Sequence, residues 1–175
     1  MKVFSIVVLL GMIVQVWPAF ARDGLAVTSP AFMEGGMIPV KYTCKGTNIS
    51  PALSWKGAPA GARSFVLICN DPDAPAGNWM HWIVYNIPPG ISRIPAGFQK
   101  VSEMADGTMQ ARTSFGTTGY GGPCPPSGVH RYYFTVYALD IKLDLNPAEA
   151  SYTDVVKAMQ GHIIASGRLM GKFKK

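Results

Sequence analysis

An all-β fold flanked by one helix near the C-terminus is what this sequence predicts, and three patterns carry the prediction. Its apolar runs are short, rich in β-branched and aromatic residues, and separated by turns of Gly, Pro, Asn and Asp. Two of them, Phe65 to Cys69 and Trp82 to Ile87, flank a polar loop that holds two aspartates, two prolines, a glycine and Trp79. A third, Arg131 to Leu139, alternates Tyr132, Phe134 and Val136 with Tyr133, Thr135 and Tyr137. That period of two belongs to a strand.

The first 21 of the 175 residues read as a leader. Lys2 precedes the apolar run Val3 to Trp17, and Ala19-Phe20-Ala21 is a small-x-small cleavage site. The run is shorter than the roughly 20 residues of a membrane span, so the expectation is a signal peptide over 1–21 and one exported domain over 22–175. The remaining 154 residues suffice for one sizeable core. Without Lys2 the formal charge falls from +6 to +5. The basic residues are scattered except for Lys172, Lys174 and Lys175, which favours solubility over nucleic-acid binding. After cleavage no apolar run of spanning length remains.

In the mature chain, Leu25 to Thr28 and Ile38 to Tyr42 read as strands around a Gly35-Gly36 turn, and Ala52 to Trp55 as a short strand. In the run through Ile87, Met80, Trp82 and Val84 alternate with His81, Ile83 and Tyr85, so both faces are covered and the strand is central. Pro88 to Gly107 shows no sustained period and reads as a long surface connection with room for a short helical turn. Phe115 to Arg131 holds five glycines and three prolines. That mixture excludes helix and strand but is stiffer than a Gly/Ser linker. Ser151-x-x-Asp154 is a capping box for a helix with Val155, Val156 and Met159 on one face and a stop at Gly161, and Ile163 to Phe173 reads as a last strand.

The three cysteines make one pair and one remainder. Cys69 lies in an apolar strand and reads as a buried thiol, whereas Cys44 and Cys124 lie in loops where a bridge is open but not fixed by sequence. There is no Gly-x-Ser-x-Gly elbow, and His81, His130 and His162 lack zinc spacing. The glycines from Gly116 to Gly122 run into prolines rather than the helix that a phosphate loop opens. No catalytic nucleophile, metal or cofactor is therefore expected.

What remains is Asp71 and His81 at the first loop and His130, Arg131 and Tyr132 at the second. Two stiff loops that bring titratable groups to the ends of covered strands suit a preformed anion site. His81, the Gly-rich loop amides and Tyr132 would donate to the anion, with Asp71 orienting the imidazole. The plainer alternative is an Asp71–His81 pair that closes the end of a sheet. Trp79 reads equally as pocket wall or core cap, Arg131 as the partner of a local carboxylate, Asp73 as the holder of its own turn, and His162 as a helix C-terminal cation or packed residue.

Asp-Pro-Asp-Ala-Pro at 71–75, Trp-Met-His-Trp at 79–82 and Gly-Pro-Cys-Pro-Pro-Ser-Gly-Val-His-Arg-Tyr at 122–132 resemble the two signature segments of the phosphatidylethanolamine-binding proteins, also called Raf kinase inhibitor proteins. Tyr42 to Pro51, the Ile-Pro-Pro at 87–89 and the stretch 161–171 are similar to the bacterial YbhB/YbcL-like branch. The resemblance implies a β-sandwich whose small pocket takes phosphate-like anions such as phosphate or phosphoethanolamine. By position it assigns Asp71, His81 and Tyr132 to that pocket, with Trp79, Gly122, Pro123 and His130 beside it. The expected function is exported binding of a small anion, a lipid head group or an acidic or phosphorylated side chain, in the periplasm or outside the cell. A kinase- or protease-like protein partner and a homodimer are compatible with that expectation. The alternative is a hydrolase in which Asp71 tunes His81 as a general base.

Overall fold

The computed structural model describes residues 24–175. The leader expected over residues 1–21 lies outside the described residues. In chain order the elements are β1 (Ala26–Thr28), β2 (Leu53–Lys56), β3 (Ser64–Asp71), β4 (Trp79–Ile87), β5 (Arg93–Ile94), β6 (Met109–Gln110), β7 (Val129–Leu139), α1 (Tyr152–Met159) and β8 (Ile163–Lys174). They form a three-stranded sheet in the order β1-β2-β5 and a five-stranded sheet in the order β6-β4-β3-β7-β8, antiparallel throughout.

The larger sheet is the middle layer. On one side Leu67, Trp82, Phe134, Val136 and Leu169 pack with Val27, Leu53, Trp55 and Ile94 of the smaller sheet. On the other, Val66, Ile83 and Tyr85 pack with Val155 and Met159 of α1 and with Leu143 and Ala150. This double cover explains why β3 and β4 read as near-continuous apolar runs. The helix starts at the expected capping box, in which Ser151 accepts from the Asp154 amide and Asp154 accepts from the Ser151 amide.

Two segments differ from the sequence reading. Ile38 to Tyr42 is not a strand: a single bridge joins Met37 to Lys172, after which Val40–Tyr42 turns as a 3₁₀ helix. Pro39, with φ −59°, lacks an amide for a ladder, and its carbonyl instead accepts from the Tyr42 amide at 2.9 Å. Within Pro88 to Gly107, Arg93–Ile94 pairs with β2, so this connection supplies the edge of the smaller sheet. Too short to show a period, that strand is invisible to pattern reading.

The layers approach closely where β8 passes the start of β1. The Leu25 amide donates to the Ser166 carbonyl at 3.0 Å, and a Cβ on Gly167 would run into the Leu25 carbonyl oxygen. Because a backbone atom stands there, no rotamer change relieves the clash. Gly167→Ala is expected to destabilise the protein by about 3 kcal/mol, measured by urea denaturation, whereas Ala at exposed Gly90, which has open space around it, should leave the midpoint nearly unchanged.

Candidate functional site

The site lies at the end of the larger sheet, on the face turned toward the smaller one. Regular alternation would place Asp71 of β3 and His130 and Tyr132 of β7 on that face, and His81 on the opposite one. A β-bulge changes this for His81. Cys69 pairs with Trp82 and Asn70 with Met80, so His81 is the extra residue on β4. The bulge re-aims the side chains around it. Met80 joins Ile83 and Tyr85 on the helix side, while the His81 ring meets the Tyr132 ring edge-to-face at 5.2 Å.

Asp71 and His81 do not pair with each other. Oδ1 of Asp71 accepts from the Asp73 amide at 2.8 Å, and Oδ2 accepts from Nδ1–H of His130 at 2.8 Å. Asp71 is 3 % exposed and His130 7 %, so each supplies the partner the other needs out of water. His81, 3 % exposed, donates Nδ1–H to the Gly121 carbonyl at 2.6 Å. A carboxylate and a carbonyl can only accept, which fixes Nδ1 of both rings as donors. The Gly122 backbone also lies close to the His81 ring, and no hydrogen bond to Nε2 of either ring stands beside those two among the described residues. Burial pulls the His81 pKa below its ordinary value of 6.5, against the opposing pull of the Gly121 carbonyl and the Asp71 charge.

These side chains border a cavity of about 160 Å³. Asp71, His81 and His130 line it, and so does Trp79, for which the sequence left wall and core cap equally open. Phe115, Ala74, Cys124, Pro125 and Pro126, which the sequence reading did not single out as lining, complete the wall. Phe115 is 44 % exposed and sets its ring edge-to-face against Trp79 at 5.5 Å and His81 at 5.3 Å. An aromatic residue inside a Gly/Pro-rich polar loop was the available signal, since nothing local in the sequence gives it a core to enter.

Tyr132, Gly122 and Pro123 stand behind the wall instead. Tyr132 is fully buried with its hydroxyl beside Asp71, and burial together with the Asp71 charge raises its pKa far above the ordinary range, so it stays a donor. Two of the Gly-rich loop amides beside the site are already used: Gly121 donates to the His81 carbonyl at 2.9 Å and Gly122 to Oδ1 of Asn48 at 2.7 Å. A Cβ on Gly122 would lie 2.6 Å from both Oδ1 of Asn48 and the Tyr42 carbonyl oxygen, so glycine there serves loop-on-loop packing rather than anion contact. Pro123 accepts from the Cys44 amide at 3.1 Å.

The Cys44–Cys124 disulfide is formed, with Cα atoms 5.5 Å apart, and it ties the same two loops. Cys69 is the buried free thiol, its pKa raised by burial and by the Asp71 charge. Asp73 does not hold its own turn. It takes Arg131 Nε at 2.9 Å and Nη2 at 2.6 Å, which lowers its pKa to about 2. His162 pairs with Asp140 at 2.9 Å, away from the cavity.

The family model described as "Phosphatidylethanolamine-binding protein" matches residues 28–174. The chain belongs to the phosphatidylethanolamine-binding protein family. A UPF0098 protein of Methanothermobacter thermautotrophicus is 50 % identical over 145 residues, covering 83 % of this chain and 95 % of that one. Among solved structures, a phosphatidylethanolamine-binding protein homologue from Chlamydia trachomatis aligns with a TM-score of 0.79 at 43 % identity, over 87 % of this chain and 99 % of its own. Escherichia coli YbcL, described as a member of the mammalian family, aligns with a TM-score of 0.77 at 32 % identity, over 86 % and 98 %. In this member of the family, Asp71 is the group whose partner is least expendable. His130→Ala, which strands the buried carboxylate, is expected to cost about 3–5 kcal/mol in denaturation experiments, and Asp71→Asn, which leaves an amide able to bond both neighbours, about 1–2 kcal/mol.

Proposed function

We propose that this family member is an exported binding module that holds a small anion, phosphate or a phosphate-bearing head group, between His81 and His130. The observation that carries the reading is the pair of imidazoles lining one cavity, each with Nδ1 committed to a protein acceptor and Nε2 left over. A cavity of about 160 Å³ suits a group of head-group size. The aromatic edges of Trp79 and Phe115 shield one side of it, which strengthens any charge pairing inside. The leader-like residues 1–21 support export.

Binding without turnover fits the lining best. Cys124, the thiol-bearing residue type in the wall, is committed to the disulfide. The acid–base alternative takes a different form from the expected Asp71/His81 pair, because the carboxylate orients His130. In that reading Nε2 of His130 would take a proton from water near a bound ester. Hydrolysis of p-nitrophenyl phosphate that survives purification and disappears in His130→Gln would favour it over simple binding.

The anion site carries a pH signature. Burial keeps His81 neutral near pH 7, where Nε2 accepts rather than donates. A fully ionised anion is therefore bound best after His81 takes up a proton, and the bound state has the higher His81 pKa. Affinity should rise as pH falls and be lost as pH climbs above the bound-state value. Sulfate does not change charge between pH 5 and 8, so calorimetric titration with sulfate isolates the protein's proton. The expected result is tightening by up to about tenfold per pH unit, abolished in His81→Asn, which keeps a donor for the Gly121 carbonyl. An affinity independent of pH, or unchanged by the substitution, would remove His81 from the site.

A further inference from the structure

The outward face of β7 borders a second hollow, separate from the anion cavity. There Tyr133, Thr135 and Tyr137 point away from Tyr132, Phe134 and Val136, and α1 covers only part of that side of the sheet. The uncovered part is a groove of about 580 Å³ between the sheet and the Tyr152 and Val156 side of α1. A further hollow of about 420 Å³ continues from it across Thr135, Tyr137 and Arg168. This volume is that of a small-molecule site.

The chemistry of the lining is one-sided. Two guanidinium groups face the groove, and no aspartate or glutamate lines it. Arg131 is already neutralised by Asp73 at 2.6 Å. Arg168 is in none of the three ion pairs among the described residues. Its guanidinium is exposed and sits 5.0 Å from the centre of the Tyr133 ring, a contact that orients the fork without using its donors. Around this free cation stand three phenols, the Thr135 hydroxyl and the amides of Asn70, Asn78 and Gln160.

We propose that this groove is a second binding site, for a sugar ring bearing a carboxylate, with Arg168 donating to the carboxylate and the tyrosines covering the ring. A planar guanidinium fork matches a carboxylate in bidentate fashion. Tyrosine faces present apolar surface to the C–H face of a sugar, while neutral amides and hydroxyls match its hydroxyl groups. An extended peptide fits less well. The floor strand β7 is bonded on both edges, to β3 and β8, and so offers no free ladder for an added strand.

The test is NMR titration of the mature protein with sodium glucuronate, glucose and acetate, in wild type, Arg168→Met, Tyr152→Ala and His81→Asn. Saturable shifts of Tyr133, Tyr137 and Tyr152 with glucuronate, at a dissociation constant of about 1 mM, are expected. Glucose and acetate should each bind at least about tenfold more weakly. Arg168→Met and Tyr152→Ala should weaken glucuronate binding by at least a similar factor, and His81→Asn should not change it, which keeps this site distinct from the anion cavity. Glucuronate shifts confined to His81 and Trp79, equal affinity for acetate, or an unaltered affinity in Arg168→Met would each overturn the proposal.

Discussion

The buried carboxylate of Asp71 is the constraint around which this end of the sandwich is arranged. A charge that is 3 % exposed persists only if its oxygens are bonded and a cationic or strongly polar partner is at hand. One oxygen is met by the amide two residues on, which bends the chain out of β3 into the Pro72–Pro75 loop. The other is met by His130 at the start of β7. Those two bonds lock a loop and two strands in one register. Arg131, the next residue, reaches over the outside of the same loop to Asp73. The His81 ring is thereby left to backbone partners, and the loop from Phe115 to Gly122 must come close enough to supply them.

That loop is held from behind by unusually specific means. Asn48 accepts from the Gly122 amide, the Tyr120 hydroxyl donates to the Tyr42 carbonyl at 2.8 Å, and the disulfide joins Cys44 to Cys124 across 80 residues of sequence. A covalent link spanning that length restricts the unfolded chain strongly. The segment from Tyr42 to Asn48 therefore serves the site without touching it. Rigid backing of this kind is what allows a wall of glycines and prolines to keep one shape.

Much of this was legible in the sequence because it depends on local chemistry. Period-two patterns located β7, and β-branched and aromatic runs located β3 and β4. The Ser151/Asp154 box located α1, since capping satisfies orphan amides within four residues. The approach of Asp71, His81 and His130 followed from loops that end at covered strands, whereas Trp79 read equally as a core cap. What escaped reading is long-range. Whether Asp71 pairs with His81 or His130 depends on a bulge that adds one residue to β4, and no composition rule marks it. Gly122 and Pro123 have the residue types of an anion loop, yet their backbone groups are claimed by Asn48 and Cys44 from a segment some 80 residues earlier. The Arg93–Ile94 strand is too short to carry a pattern.

Along β7 the side chains divide strictly between two neighbourhoods. His130 lines the anion cavity and Tyr132 packs in the core behind it, while Arg131 and Tyr133 belong to the groove beneath α1. Adjacent codons thus specify different surfaces, separated by one layer of backbone. Because neighbouring side chains enter different surfaces, an insertion or deletion of one residue would exchange both sets at once. Substitution changes one face of the strand at a time, but a change in its length moves both.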